Sequence, residues 1–208
     1  MPLPFSITSN ALEAVRSYCP KSVVEKGLKP AAVLVPIQDR GGEHYLTLIE
    51  RVATLRSHGG EIAFPGGNVT AEDKDTLAAA LREFQEEIGI DPGNVQIIGQ
   101  LDQVTVGSRY VVTPFVGIVI SPFNASPNKE EVSSVISIPV SALLEPDCFA
   151  TEPKADGSAR AIYHFRYEAL DIWGATARIL KQLLEVAYQF QFFSVGQISF
   201  RGCLRPRQ

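Results

Sequence analysis

The run LREFQEEIGI, from Leu81 to Ile90, places two different faces on one predicted helix. Its three glutamates, Glu83, Glu86 and Glu87, recur at spacings of three and four residues, so they share one side of a helix. Apolar residues form a second stripe, roughly 140° away around the axis at 100° per residue. These are Leu77, Leu81, Phe84 and Ile88. Because like charges at such spacings destabilise an isolated helix, we expect a compensating partner, and a divalent cation with oxygen ligands fits.

The segment before this helix has the composition of a strand and a tight bend. GEIAFPGG, from Gly60 to Gly67, reads as a strand followed by a glycine turn, and the loop NVTAEDKD leads into the helix. Gly66 and Gly67 permit close backbone approach and positive φ. Arg82, beside the carboxylates, can orient one of them by a charge-assisted hydrogen bond. A strand, a glycine bend and a carboxylate-bearing helix together suit a diphosphate held through metal ions.

These residues resemble the Nudix box, the signature of hydrolases that cleave a diphosphate linked to a nucleoside. The family pattern is G-x5-E-x7-R-E-U-x-E-E-x-G-U, where U is aliphatic. The matching positions are Gly67, Arg82, Glu83, Phe84 (aromatic rather than aliphatic), Glu86, Glu87, Gly89 and Ile90. The loop is one residue longer than the pattern, and its first glutamate is missing. That position is Asp73 counted from Gly67 and Lys74 counted back from Arg82, so Asp73 and Asp75 both stand as substitutes for the residue that anchors the loop.

The longer loop is similar to that of the coenzyme A pyrophosphatase branch of the family. That branch also carries an upstream signature, roughly L-L-T-x-R-S-x-x-L-R-x-H-x-G-E-[IV]-[AS]-F-P-G-G, and this chain has LIERVATLRSHGGEIAFPGG. The matching residues are Arg51, Leu55, Arg56, His58, Gly60, Glu61, Phe64, Pro65, Gly66 and Gly67, whereas Glu50 and Val52 depart from it. The resemblance extends from about Pro30 to about Ala187.

The resemblance implies a set of site residues and a cofactor, Mg²⁺ or Mn²⁺. The implied metal ligands are the Gly67 backbone carbonyl and the carboxylates of Glu83, Glu86, Glu87 and Glu131. The fourth carboxylate lies in a loop entering a late strand, where Glu130 is its neighbour and a merely charged strand edge is the alternative. Catalytic roles fall to Glu83, Glu86 and Arg82, with the identity of the general base left open.

Substrate contacts are expected from Arg51, Arg56, His58 and Gly66. Guanidinium groups match phosphate geometry, and coenzyme A carries a 3′-phosphate besides its diphosphate. Salt bridging is the alternative for the two arginines, and a structural role is the alternative for the histidine. Glu61 is expected to hold Arg56 or the loop, and Trp173 is expected to pack rather than contact adenine.

Composition limits the class of protein. With 208 residues, 45% hydrophobic and 20% charged, the chain suits one soluble domain. We expect residues 1–190 to form it, with an N-terminal helix, and residues 191–208 to form a tail of unknown role. A net charge of −4 argues against a nucleic-acid partner. The absence of an apolar run of 18 residues and of a secretory signal argues against a membrane partner and for the cytoplasm. Three widely spaced cysteines suit reduced thiols.

The order of elements predicts the α/β class, and the resemblance implies the Nudix fold, an α/β/α sandwich around a mixed β-sheet. Expected helices are 9–18, 75–88 and 173–189, with a helical turn at 141–146. Expected strands are 31–37, 44–51, 95–106, 110–120, 132–140 and 161–169, with a glycine hairpin at Gly41–Gly42 and loops at 121–131 and 149–160.

Three functions remain open at this point. The resemblance implies metal-dependent hydrolysis of coenzyme A or a derivative to adenosine 3′,5′-bisphosphate and 4′-phosphopantetheine. The second is Nudix hydrolysis of another nucleoside diphosphate derivative, such as ADP-ribose or NADH. The third is a non-catalytic nucleotide-binding module. Each implies a nucleotide-like small molecule as partner, and the family resemblance adds a homodimer as an assembly to test.

Overall fold

The computed structural model describes residues 7–54, 58–107, 109–120, 124–153 and 161–192. The helices are α1 (Ile7–Arg16), α2 (Thr76–Ile88), α3 (Val140–Leu143) and α4 (Gly174–Tyr188). The strands are β1 (Lys29–Arg40), β2 (Glu43–Arg51), β3 (Ile62–Ala63), β4 (Gly66–Asn68), β5 (Val95–Gln100), β6 (Val104–Val106), β7 (Tyr110–Val119), β8 (Val132–Pro139), β9 (Phe149–Pro153), β10 (Ala161–Tyr167) and β11 (Leu170–Trp173). Single 3₁₀ turns lie at Pro92–Asn94 and Pro146–Cys148.

The main sheet is mixed, as expected. β1 runs parallel to β7, pairing Lys29–Ile37 with Tyr110–Ile118. β2 is antiparallel to β1 and to β8, while β5 and β6 are antiparallel to β7. Gly41 and Gly42, with φ of 68° and 93°, form the predicted two-residue hairpin between β1 and β2, because such turns need positive φ at both positions.

β1 and β2 separate beyond the hairpin, and the chain segment of β3 and β4 fills the gap between them. β2 pairs with β3 through Ile49 and Glu50. β1 pairs instead with β4, through Ala31–Val33. The split therefore places Gly66 and Gly67 in the middle of the sheet, at the point where α2 crosses it.

The two faces of the sheet are covered by helices, which confirms the sandwich. α2 covers one face, where Phe84 and Ile88 are fully buried against Leu34 and Ile49. The other face packs against α1 and α4 and against a second, three-stranded sheet, β11-β10-β9. None of the described helices is long and apolar enough to cross a membrane.

Three predicted elements differ from the structure, the first being the expected glycine turn at Gly66 and Gly67, which belong to strand β4 because they pair with β1. The run 95–106 is two strands, because Leu101 faces Pro114 of β7, and proline has no N–H for the ladder. Leu101 donates to the Pro114 carbonyl at 2.9 Å, and Asp102 turns away to accept from Tyr18 Oη and the Lys21 amide. The predicted loop 149–160 begins with β9, whose Phe149 is buried and pairs with Phe165.

The chain ends differ from the predicted bounds by a few residues. α1 begins at Ile7 rather than Ser9 and ends at Arg16 rather than Tyr18. At the other end, Phe192 packs on Phe149 with ring centroids 4.4 Å apart. The packed structure thus continues two residues past position 190, where we expected the domain to end.

Candidate active site

The helix that carries the glutamates is capped at both ends by its own sequence. Asp75 is extended, and its side chain accepts a hydrogen bond from the Ala78 amide at 2.8 Å, as an N-cap residue does. Gly89 ends the helix with φ of 77°, and its N–H donates to the Gln85 carbonyl, a left-handed cap that suits glycine. Asp75 therefore has a helix-capping role.

Asp73 has the loop-anchoring role that the sequence left open between two aspartates. It accepts from Arg82 through both oxygens, Nε to Oδ1 at 2.9 Å and Nη2 to Oδ2 at 3.0 Å. It also accepts from the Thr70 amide and hydroxyl, at 2.8 and 3.0 Å. The Arg82 guanidinium, with these Thr70 contacts, holds the pKa of the Asp73 carboxyl well below its usual range. The extra loop residue is thus accommodated by an aspartate in place of the family's glutamate.

Arg82 also contacts two of the three clustered glutamates. Its Nη1 donates to Glu83 Oε1 and to Glu86 Oε2, each at 3.0 Å. The expectation that Arg82 orients a neighbouring carboxylate is confirmed. The Arg82 guanidinium therefore compensates part of the charge of Glu83 and Glu86.

Glu83 occupies the space that the missing side chain of Gly67 leaves open. A Cβ on Gly67 would lie 2.4 Å from Glu83 Oε1, far closer than any real contact. Burial raises the pKa of Glu83, against the lowering effect of Arg82. The glycine is needed here because it lets the carboxylate lie against the backbone of β4.

Glu87 is the most enclosed of the three, with a side chain only 2% exposed. Its Oε2 accepts from the Gly66 amide at 2.9 Å, and its Oε1 accepts from Arg51 Nη1 at 3.0 Å. Burial raises its pKa to about 7, while Gly66 and Arg51 oppose that rise. Glu86, by contrast, is 55% exposed.

Glu131 lies close enough to two of these glutamates to act on them electrostatically. Its charge raises the pKa of both Glu83 and Glu87, and Glu86 adds to the effect on Glu83. The backbone of Glu131 is fixed beside the site, since its carbonyl accepts from the Val52 amide at 2.9 Å. Mutual repulsion among hard oxygen donors is what a divalent cation relieves, so these residues fit Mg²⁺ or Mn²⁺.

The carboxylates are nonetheless engaged by protein groups in this structure. Within the described ranges, no three His, Cys, Asp or Glu side chains converge as a preformed metal centre. Arg82 holds Glu83 and Glu86, while Arg51 and Gly66 hold Glu87. The ligand set Gly67, Glu83, Glu86, Glu87 and Glu131 therefore stays a prediction.

Backbone hydrogen bonds hold the two ends of the upstream signature's loop, Arg51 and Gly60–Glu61, beside each other. The Arg51 amide donates to the Glu61 carbonyl, and the Gly60 amide donates to the Arg51 carbonyl, both at 3.0 Å. His58, with a left-handed φ of 58°, lies within hydrogen-bonding distance of Glu61, 2.9 Å from Nδ1 to Oε2. Glu61 thus holds the loop, as one expectation had it. Arg56 lies outside the described residues, and substrate contacts of Arg51, His58 and Gly66 stay predictions.

Asn128 is a structural residue of the site that the sequence reasoning missed. Its amide donates to the Glu87 carbonyl at 3.1 Å, and its own carbonyl accepts from the Glu131 and Val132 amides. Its Oδ1 accepts from the Glu130 amide. These bonds tie the loop before β8 to the end of α2 and so fix Glu131. An asparagine two residues before an acidic pair is a turn signal that could have identified it.

The family is shown by comparison with known proteins. A model of the NUDIX domain matches residues 28–162. The chain is 38% identical over 156 residues to "Uncharacterized Nudix hydrolase NudL" of Photorhabdus laumondii subsp. laumondii, which covers 74% of this chain and 83% of that protein. The protein of the same name from Citrobacter koseri is also 38% identical, over 74% of this chain and 81% of its own.

A solved structure shows the same fold at greater distance. The Nudix hydrolase RenU from M. Smegmatis superposes with a TM-score of 0.56, at 19% identity, over 82% of this chain and 92% of its own. With these matches to fold and sequence, the chain belongs to the Nudix hydrolase family. It is therefore a hydrolase of the class that acts on nucleoside diphosphate derivatives, and such enzymes generally need divalent metal ions.

Proposed function

We propose that this Nudix hydrolase cleaves the diphosphate of coenzyme A or one of its derivatives, with Mg²⁺ or Mn²⁺. The products are adenosine 3′,5′-bisphosphate and 4′-phosphopantetheine. One observation supports this choice above others: the segment resembling the coenzyme A branch is joined directly to the carboxylates. Its first matching residue, Arg51, bonds Glu87, and its last two, Gly66 and Gly67, lie against Glu87 and Glu83.

The chemistry follows from the groups around the diphosphate. A bound divalent cation neutralises phosphate charge and lowers the pKa of a water molecule. Glu83, Glu86, Glu87, Glu131 and the Gly67 carbonyl would hold it. Glu83 or Glu86 accepts a proton from the attacking water. The oxygen of that water bonds to phosphorus, and the P–O bond to the bridging oxygen breaks. Arg82 keeps both glutamates in place from Nη1.

Selectivity is assigned to the loop between Arg51 and Glu61. Its ends are pinned beside the carboxylates by backbone hydrogen bonds, and loops on a rigid scaffold commonly carry specificity. Arg56 and His58 are proposed to contact the phosphates of the substrate, including the 3′-phosphate that distinguishes coenzyme A from ADP-ribose and NADH. The substrate is a free nucleotide-like small molecule rather than nucleic acid or membrane. We propose that the hydrolysis takes place in the cytoplasm. We also propose that the protein forms a homodimer, and light scattering would measure its mass in solution.

The experiment is a Mg²⁺-dependent assay with products separated by chromatography. Coenzyme A, dephospho-coenzyme A, ADP-ribose and NADH are compared at equal concentration. Glu86→Gln tests the carboxylates, and Glu25→Gln, in the exposed segment before β1, is the matched control. We expect adenosine 3′,5′-bisphosphate from coenzyme A, a loss of at least 100-fold in Glu86→Gln and normal turnover in Glu25→Gln.

The substrates separate the three functions. Preference for dephospho-coenzyme A, ADP-ribose or NADH over coenzyme A would keep the Nudix chemistry and exclude the coenzyme A assignment. Absence of turnover on all four, with folded protein and either cation, would favour a nucleotide-binding module, and equilibrium binding of the same compounds would then identify its ligand.

A further inference from the structure

Arg51 lies where three parts of the site meet. It is the last residue of β2, and its backbone hydrogen-bonds to Gly60 and Glu61 at the other end of the loop. The following amide, of Val52, donates to the carbonyl of Glu131. The pairing of β2 with β8 shifts register between Glu50 and Arg51, and such an irregularity re-aims a side chain. The Arg51 side chain bonds Glu87 on α2.

Glu87 needs a charged partner because it is so enclosed. Its side chain is 2% exposed, whereas Arg51 is 24% exposed. A buried carboxylate is costly to ionise unless it is paired and hydrogen-bonded. The Gly66 amide supplies one bond and no net charge, so the charge opposite Oε1 comes from Arg51.

The two contacts also fix the direction of the carboxylate. Gly66 holds Oε2 from β4, and Arg51 holds Oε1 from the end of β2. β4 pairs with β1, whereas β2 lies on the other side of the split between these strands. The plane of the Glu87 carboxylate is therefore set by contacts from both sides of the split. Loss of either contact frees the group to turn.

We propose that Arg51 is a positioning residue that orients the Glu87 carboxylate for the divalent cation, rather than a group whose main role is to contact substrate. The proposal rests on the cation site of the proposed function. It concerns cation affinity, which is measured without any substrate. The proposal also gives the upstream signature a role in cation binding, because its first matching residue, Arg51, orients a glutamate of α2.

The test is a Mn²⁺ titration followed by electron paramagnetic resonance of the free ion, with isothermal calorimetry using Mg²⁺ as a second measurement. Arg51→Gln removes the charge. Arg16→Gln, on the exposed surface of α1, is the matched control. Loss of a partner that orients a metal ligand costs about 10- to 100-fold in metal affinity, and we expect that loss in Arg51→Gln and none in Arg16→Gln.

Arg51→Lys separates charge and position from simple packing. The contact uses one nitrogen, Nη1, so a lysine ammonium can replace it, unlike at a two-pronged site. We expect Arg51→Lys to bind Mn²⁺ within about threefold of the wild type. Circular dichroism spectra matching the wild type establish that each variant is folded, and a lysine variant as weak as the glutamine variant would contradict the proposal.

A double-mutant cycle shows whether the effect passes through Glu87. Arg51→Gln added to Glu87→Gln should cause no further loss of Mn²⁺ affinity, because the contact is already gone. A full additional loss would place the action of Arg51 elsewhere and overturn the inference.

Turnover gives a readout that a purely structural role would not alter. In Arg51→Gln, the Mn²⁺ concentration for half-maximal activity should rise by the same 10- to 100-fold, whereas in Arg16→Gln it should stay at the wild-type value. Unchanged Mn²⁺ affinity in Arg51→Gln, with coenzyme A still cleaved by the wild type, would overturn this inference alone. Normal Mn²⁺ effects with no coenzyme A cleavage would overturn the proposed substrate alone.

Discussion

Asp73 accepts two parallel hydrogen bonds from Arg82, and the same guanidinium reaches Glu83 and Glu86 with its remaining nitrogen. A two-pronged arginine–carboxylate contact adds geometric specificity as well as energy. The position of the loop and the position of the glutamates are therefore set by one side chain. This arrangement shows how a loop one residue longer than the family pattern still ends with its anchor beside Arg82.

Replacing Asp73 should destabilise the protein in a pH-dependent way. The pKa of Asp73 is lowered from an ordinary value of 3.8 by Arg82, so below that value the unfolded chain binds more protons than the folded one. The stabilisation is present at pH 7 and is lost as the pH falls through the acid range. We expect Asp73→Asn to lower Tm at pH 7, with the difference from wild type narrowing at pH 3 in thermal scans.

The neighbouring aspartate is the control for that experiment. Asp75 is the N-cap of α2, and asparagine caps a helix about as well as aspartate. Asp75→Asn should therefore stay close to the wild-type Tm at both pH values. Equal effects of the two substitutions would mean that Asp73 is not the loop anchor.

Alanine at the two central glycines should have different consequences. At Gly67, the three atoms nearest to the new methyl group all belong to the Glu83 carboxylate, whereas at Gly66 the methyl group lies 2.3 Å from the Ala32 carbonyl oxygen and 2.6 Å from Val33 Cα. A side-chain end can move and backbone cannot, so Gly67→Ala should fold but bind Mn²⁺ at least tenfold more weakly. Gly66→Ala should lose about 1–3 kcal/mol of unfolding free energy, measured in urea.

Gly27 shows how much of the cost of an alanine substitution comes from backbone strain alone, without crowding by neighbouring atoms. Gly27 has φ of 87° and nothing within 4 Å of an added Cβ. Gly27→Ala should cost only about 1 kcal/mol and leave Mn²⁺ binding unchanged. If Gly67→Ala bound Mn²⁺ as well as Gly27→Ala does, the close approach of Glu83 to β4 would have no bearing on the cation.

The acidic pair before β8 should divide sharply in function. Glu131 acts electrostatically on Glu83 and Glu87, and a fourth carboxylate at this place completes the proposed ligand set. Glu131→Gln should weaken Mn²⁺ binding by at least tenfold and reduce turnover to match. Glu130→Gln, one residue earlier, should change neither Mn²⁺ affinity nor turnover. Calorimetry measures the Mn²⁺ affinity of both variants, and a loss in Glu130→Gln rather than in Glu131→Gln would make Glu130 the fourth carboxylate.

His44 should make stability fall as the pH drops through the range near 6.5. It is buried, its Nδ1 lies 2.6 Å from Tyr188 Oη on α4, and its Nε2 has no hydrogen-bond partner in the described part of the chain. Burial lowers its pKa, with Asp39 of β1 opposing. Below the unfolded value of 6.5, the unfolded chain is protonated while the folded His44 is not, so unfolding is favoured.

Urea unfolding between pH 5 and pH 8 tests this expectation. Relative to the wild type, His44→Gln should gain unfolding free energy as the pH falls below 6.5, and this comparison cancels the opposite contribution of Glu87, whose raised pKa is the same in both proteins. His58→Gln, which removes an exposed histidine instead, is the matched control. If the difference in unfolding free energy between the wild type and His44→Gln stayed constant over this interval, the pKa of His44 would be the same in the folded and the unfolded chain, and the expectation would be wrong.

Much of the box helix was predictable because its determinants are local. The cap at Asp75, the left-handed end at Gly89 and the apolar stripe through Phe84 and Ile88 are all read within one short segment. The break at Leu101–Gln103 was not predictable in the same way. It depends on Pro114 lying opposite Leu101 across the sheet, and strand register is not visible within the segment itself.

The predicted loop at 149–160 failed for a related reason. Phe149–Pro153 has little strand pattern of its own, and it becomes a strand because Phe149 is buried beside Phe165 and Phe192. The proline, aspartate, glycine and serine content of 149–160 is typical of a loop, and a tertiary contact outweighed it.

The sequence by itself determined the family, the mixed α/β sandwich and the helix that carries Glu83, Glu86 and Glu87, because periodicity, caps and glycine bends act over a few residues. Only the tertiary structure decided which aspartate anchors the loop and which partner each glutamate has. Asp73 meets Arg82 across nine residues, and Arg51 meets Glu87 across 36. The Arg51–Glu87 contact depends on how the split between β1 and β2 brings distant segments together, and no local pattern encodes it.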